Sequence, residues 1–211
     1  MNYSDRTDGA LKLVPHLLKY KGGNGVILAL PRGGVPPGMV LAQALNFPLD
    51  LLLVKKIGHP ENPELAIGAV SLESQLIDPR FDIPDAYIHS EVSRIRKSLK
   101  ERYDKFMGDK LPLELKNKTV ILVDDGIATG NTILAAVKMI RSKEPLKIVI
   151  ATPVAPPDTI AKLKPFVEEI ICPYQPVEFM SIGQFYDDFS QVSDEEVIEL
   201  FGPSLSHRQR G

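Results

Sequence analysis

Cysteine is almost missing: Cys172 is the single one among 211 residues. That excludes a disulfide framework or a cysteine-rich zinc site within the chain. Neither charge is in excess. Lys plus Arg number 25 and Asp plus Glu 27, a net charge of −2. A protein built to grip duplex phosphates would be basic, so generic nucleic-acid binding is a poor expectation. No apolar run reaches the roughly 18 residues that a membrane helix needs. The stretch Met1 to Asp8 carries Asp5, Arg6 and Asp8 and has no apolar core, unlike a signal peptide. Fixed-period repeats and low-complexity linkers are also lacking. What is present is an ordinary globular balance, 44% apolar and 25% charged, which excludes a disordered chain. The expectation is a cytoplasmic protein with no membrane and no nucleic-acid partner.

Charge is uneven along the chain. Arg94 to Lys118 holds nine Lys or Arg against four acids, and Phe166 to Phe201 holds nine acids and no Lys or Arg. Most such charges coat solvated faces; the sharper reading is that the acidic segment borders a site. Apolar periodicity predicts helices over Asp5 to Tyr20, Pro36 to Asn46, Pro84 to Met107, Asn131 to Arg141 and Pro157 to Leu163. Buried strands are expected at Val26 to Leu30, Leu49 to Val54, Thr119 to Val123, Lys147 to Thr152 and Glu169 to Cys172. Ile67 to Leu72 and Gln75 to Ile77 read as a short extended pair, and His59 to Pro63 as a loop. Continuously apolar strands alternating with helices imply an α/β fold: a twisted, mostly parallel sheet with helices on both faces. Ligands of such sheets bind outside the carboxyl ends of the strands.

After Val120-Ile121-Leu122-Val123 come Asp124-Asp125-Gly126-Ile127-Ala128-Thr129-Gly130-Asn131-Thr132. A loop of small residues entering a helix presents N–H groups and a positive dipole end to a phosphate. The hydroxyls of Thr129 and Thr132 can add hydrogen bonds. Two carboxylates would repel that phosphate but suit the hydroxyls of a ribose. Phosphate beside diol describes a ribose 5-phosphate. A Walker A loop is excluded because Asn131 follows Gly130, where that motif needs Lys.

This stretch resembles the phosphoribosyl pyrophosphate (PRPP) signature of type I phosphoribosyltransferases. The resemblance extends over roughly residues 25 to 175 in element order. It is strongest to a group of bacterial phosphoribosyltransferases of unassigned substrate. These share the stretch Leu30-Pro31-Arg32-Gly33-Gly34-Val35-Pro36, the Lys56-to-Val70 loop and the tail Phe189-Ser190-Gln191-Val192. It implies one domain over residues 1–211, with a core of about 22–172, a mobile loop of about 57–68 and a small hood or tail of about 173–205. It further implies transfer of ribose 5-phosphate from PRPP to a nitrogenous acceptor, Mg²⁺ held mainly by PRPP oxygens rather than by protein ligands, and a homodimer.

Residue by residue, the resemblance places PRPP against Arg32, Gly33 and Gly34, with a cis peptide at Arg32–Gly33, and against Lys55, Lys56 and the run Asp124 to Thr132. Side chains alternate along a strand, so one of Lys55 and Lys56 should face the site; Lys56 is the choice. Asp124 and Asp125 would hold the ribose and stabilise its cation. Glu64 is the candidate proton carrier, ahead of His59. Ala128 stands where enzymes for 6-oxopurines usually carry Asp, which argues against hypoxanthine or guanine. Phe179, Phe185 and Tyr186 are candidate stacking faces for the acceptor, or they pack the tail. Two other readings stay open: a PRPP- or nucleotide-sensing module on the same fold, and, last, a hydrolase using the acid pair, which lacks a metal-ligand cluster.

Overall fold

The computed structural model describes residues 2–206; Met1 and residues 207–211, which the single-domain expectation includes, lie outside them. In chain order the elements are α1 (Arg6–Leu17), β1 (Gly25–Ala29), α2 (Val35–Leu45), β2 (Leu49–Leu51), β3 (Lys55–His59), β4 (Asn62–Val70) and β5 (Gln75–Ile77). There follow α3 (Asp85–Met107), β6 (Thr119–Val123), α4 (Asn131–Arg141), β7 (Lys147–Ala151), α5 (Pro157–Leu163), β8 (Glu169–Ile171) and α6 (Asp194–Ser206).

Strands β1 and β6 are buried along their whole length, so they need cover on both faces. They lie in a five-stranded sheet of order β2-β1-β6-β7-β8, parallel throughout. Alternation along each strand sorts the core into two sides. The row Val26, Val120, Ile148 packs with Ile133, Val137 and Ile140 of α4. The next row, Ile27, Ile121, Val149, packs with Leu13 and Leu17 of α1 and Leu41 and Leu45 of α2. Each such fully buried side chain contributes about 1.5–3 kcal/mol. The strand order reverses between β1 and β6, which makes the crevice beyond their carboxyl ends the place for a ligand.

A second, three-stranded antiparallel sheet, β3-β4-β5, lies apart from the first. Its Ile57, Ile67 and Val70 pack on the stripe Ile88, Val92, Ile95, Leu99 of α3, together with Val197 and Phe201 of α6. Asp50 anchors this layer. Its buried carboxylate accepts from the Tyr103 hydroxyl at 2.6 Å and from the N–H groups of Leu51 and Leu113, each at 2.7 Å. Burial pushes its pKa up, and these three donors pull it back.

Two expectations change. The segment read as a loop at His59 to Pro63 is the end of a hairpin that turns at Pro60-Glu61, with His59 opposite Asn62. Pro63 falls where the register shifts and no ladder partner is asked of it, so its missing N–H costs nothing. The expected strand Leu49 to Val54 stops at Leu51, after which the chain crosses to the second sheet. Lys55 and Lys56 therefore open β3 rather than close β2.

Candidate active site

The loop after β1 is a tight turn. Leu30 N–H donates to Val123 O at 3.0 Å, and Gly34 N–H donates to Leu30 O at 2.9 Å. A cis peptide lies inside it at Pro31–Arg32, one bond before the expected Arg32–Gly33. The turn closed by Gly34 spans that earlier bond, and Gly33 serves a different need. A Cβ on Gly33 would stand 2.2 Å from Asp125 Oδ2, so only glycine lets this loop settle on the acid.

The two acids at the end of β6 diverge. Asp124 keeps part of its surface open on a cleft of about 380 Å³, shared with Pro31, Gly33, Lys55, Arg102 and Thr132. Asp125 turns inward and is 6% exposed. Its Oδ2 accepts from Arg6 Nε at 2.7 Å, and Arg6 also donates to Ser190 O at 2.7 Å. The same guanidinium lies 3.9 Å over the Phe189 ring. Removing one partner of such a buried pair costs about 3–5 kcal/mol, because the other charge is left uncompensated. Burial pushes the Asp124 carboxyl well above the usual carboxylate range, and the neighbouring Asp125 adds to it. Burial raises Asp125 as well, and Arg6 opposes that rise. Nothing in local sequence marks Arg6; its partner lies 119 residues away.

The loop from Gly126 to Gly130 is tied from outside. Ile127 N–H is spent on Val154 O at 2.9 Å. The Thr159 hydroxyl donates to Ala128 O at 2.5 Å, and Lys162 Nζ donates to Thr129 O at 2.9 Å and Asn131 Oδ1 at 2.6 Å. In a trans peptide the N–H points opposite its C=O. Turning these two carbonyls toward α5 thus aims the N–H groups of Thr129 and Gly130 the other way, next to the open N-terminus of α4. Gly130 has φ +72°, and a Cβ there would meet Thr159 at 2.9 Å. Gly126 packs on Ile182. Ala128, Thr129, Asn131 and Thr132 are exposed. Thr159 and Lys162 escape sequence reading because their targets are backbone atoms of a distant loop.

Lys55, not Lys56, borders the cleft that holds Asp124. Lys56 lies on a neighbouring cleft of about 620 Å³ beneath the hairpin, alongside Asn131 and Thr132. It pairs with Glu64 at 2.9 Å. The Glu64 side chain is 92% exposed, and Lys56 holds its carboxyl below the ordinary value. The His59 ring packs edge-on to Phe81. Phe185 and Tyr186 are each 5% exposed within a cluster that includes Tyr3 and Val154, which leaves neither an open ring face. Tyr186 instead donates to Asp125 O at 2.5 Å. Of the three rings expected to stack on a substrate, Phe179 alone keeps surface, as does Phe189. Arg32 Nη1 lies 3.3 Å from Asp194. Among the described residues no group of three or more His, Cys, Asp or Glu could hold a metal ion.

Comparison with known proteins agrees with this geometry. Residues 10–175 match the model of the phosphoribosyl transferase domain. A Mycobacterium tuberculosis protein named "Putative phosphoribosyl transferase" is 36% identical over 203 residues, covering 93% of this chain and 45% of the relative. The chain thus spans about half the length of the curated relative it matches. The crystal structure of TT1426 from Thermus thermophilus is 34% identical with a TM-score of 0.84, covering 95% of this chain and 97% of that one. A purine phosphoribosyltransferase from Pyrococcus horikoshii shares the fold at 19% identity and a TM-score of 0.50, covering 89% and 93% of the two chains.

Proposed function

Since the chain belongs to the phosphoribosyl transferase family, we propose that it moves ribose 5-phosphate from PRPP to a nitrogenous acceptor and releases pyrophosphate. The observation that carries this reading is the cleft at the switch point of the sheet, where Asp124, Lys55, Arg102 and Thr132 meet. The 5-phosphate sits on the N–H groups of Thr129 and Gly130 and the N-terminus of α4. Asp124 accepts hydrogen bonds from the ribose hydroxyls. Asp125 supports it from behind, neutralised by Arg6. The C1–O bond to pyrophosphate breaks, a C1–N bond to the acceptor forms, and the acceptor's proton leaves to solvent or to a carboxylate. Positive charge develops on the ribose, where Asp124 lies, and negative charge on the leaving group, where Lys55 and Arg32 lie. This is catalysis by placement and electrostatics.

Mg²⁺ suits this donor set. One carboxylate at the cleft fits an ion held mostly by substrate oxygens and water. When bound, it would neutralise the leaving diphosphate, with Asp124 receiving its waters. Glu64 and Lys56 reach the substrate by bending of the β3–β4 hairpin over the cleft, so this segment is the proposed mobile loop. Residues of about 173–205 form the proposed hood. There Phe179 offers a ring to the acceptor, and Ala128 disfavours a 6-oxopurine. The reading places the protein in the cytoplasm as a homodimer; no helix among the described residues is long and apolar enough to cross a membrane.

Calorimetric titration with PRPP and Mg²⁺, against ribose 5-phosphate and AMP, tests the reading. Saturable PRPP binding that Asp124→Asn weakens, followed by pyrophosphate release with an acceptor (adenine first), supports transfer. Binding with no turnover across a panel of nitrogenous bases would mark a sensor instead. No binding of any of the three ligands would end the claim.

A further inference from the structure

Asp194, at the start of α6, sits among cations from α3 and from the loop after β1. Lys105 Nζ lies 2.8 Å from its Oδ2, Arg32 Nη1 3.3 Å from its Oδ1, and Arg102 Nη2 4.0 Å from the same oxygen. Among the described residues these three cations have no other acidic partner. A fourth, Lys55, shares the Asp124 cleft with Arg102. Three positive charges around one carboxylate leave a local surplus of +2 before Lys55 is counted. Like charges held this close repel one another. Three long side chains converging on one acid also lose rotamer freedom. Surface pairs of this kind return little stability. The arrangement is therefore poor as a structural device and well suited to an anion of higher charge than a single carboxylate. Arg102 joins the two halves, since it borders the cleft and reaches Asp194 as well.

We propose that Arg102 and Lys105 of α3 extend the leaving-group site begun by Arg32 and Lys55, and that Asp194 is its resident counter-ion, displaced when pyrophosphate binds. This rests on the transfer reading above and adds to it two binding residues and an internal competitor. Charge-assisted hydrogen bonds from Arg suit phosphate oxygens. A diphosphate offers more negative charge than Asp194, so it wins the cations when present. The acidic tail thereby acts on the site: Asp194 of α6 occupies these cations until substrate arrives. In Arg102→Ala a donor to the diphosphate is lost. In Asp194→Asn the charge competing with the ligand is lost and the side chain keeps its shape.

Inorganic pyrophosphate, PRPP and ribose 5-phosphate, each with Mg²⁺, are titrated into the full chain and into Arg102→Ala, Lys105→Ala and Asp194→Asn. Arg102→Ala and Lys105→Ala should weaken pyrophosphate and PRPP about tenfold, as loss of a charge-assisted bond implies. They should leave ribose 5-phosphate unchanged. Asp194→Asn should tighten pyrophosphate several-fold. If Arg102→Ala and Lys105→Ala hold pyrophosphate as tightly as the unmodified chain while that chain binds PRPP, this proposal falls and the transfer reading stands. Equal loss of all three ligands overturns it too, because that is a folding defect rather than a local anion contact. If the unmodified chain binds none of them, both readings fall together.

Discussion

Asp124 and Asp125 follow one another in the chain, yet one meets the cleft and the other is clamped behind it by Arg6. Adjacent strand-end residues point to opposite sides, so a pair of acids at this place serves two purposes. The pKa of Asp124 is raised by burial first and by Asp125 second. A carboxyl whose folded pKa exceeds its unfolded value lends stability at low pH and loses it as pH rises through the folded value. Asp124→Asn should therefore melt higher than the unmodified chain at neutral and alkaline pH. The gap should begin to shrink as pH falls through the raised pKa and should close only near the ordinary carboxylate value. Each kcal/mol relieved corresponds to roughly 2–4 °C for a chain of this size. Melting curves across pH check this; a gap that does not change with pH would sink it. At this scale the acids, Ala128 and Thr132 stand out in the sequence because they fall in one continuous stretch, and Gly33 because it falls in a second short one after β1. Arg6, Thr159 and Lys162 are not legible, since what they do depends on atoms 31 to 119 residues distant.

The elements that sequence reads well are those whose pattern repeats. The helix α3 shows its buried stripe at helical spacing, and β6 runs into α4 at the expected boundaries. The start of α6 is fixed by a reciprocal pair of hydrogen bonds. Glu196 N–H donates to Ser193 Oγ at 3.0 Å, and Ser193 N–H donates to Glu196 Oε2 at 2.6 Å, a capping box. Ser193→Ala should cost about 1 kcal/mol. Urea unfolding reads the loss, and faster amide exchange confined to the first turn of α6 would localise it. A uniform rise in exchange over the whole chain would contradict a local cap. The hairpin is the element that pattern hides. Two prolines within four residues look like a break, and the strands on either side carry Lys55, Lys56 and Glu64 instead of an apolar repeat. Its pairing is set by α3 beneath it and by Gly58 and Gly68, where a Cβ would strike the Pro63 and Leu76 carbonyls at 2.5 and 2.3 Å.

Across the whole molecule, burial is concentrated in the centre of the parallel sheet and thins toward the hairpin. All five residues of β1 and of β6 are buried, whereas all seven residues 60–66 are exposed before Ile67. Local opening costs least where apolar contacts are few. Hydrogen exchange should be slowest at β1, β6 and β7 and fastest at the hairpin tip. Addition of PRPP with Mg²⁺ should slow the tip most if that segment closes over the cleft. The amino-terminal segment is tied to the chain around Tyr186. Tyr3 N–H donates to Phe185 O, and Asp187 N–H donates to Tyr3 O, each at 2.8 Å, beside the Arg6 clamp. On a ribosome the amino end is made first and its partners last, at about 5–20 residues per second. Tyr3 and Arg6 thus wait some ten seconds or more for Phe185 and Ser190 to emerge. Asp125 emerges partway through that interval and lacks its complete enclosure for the rest of it, so the site is finished only when synthesis reaches the tail.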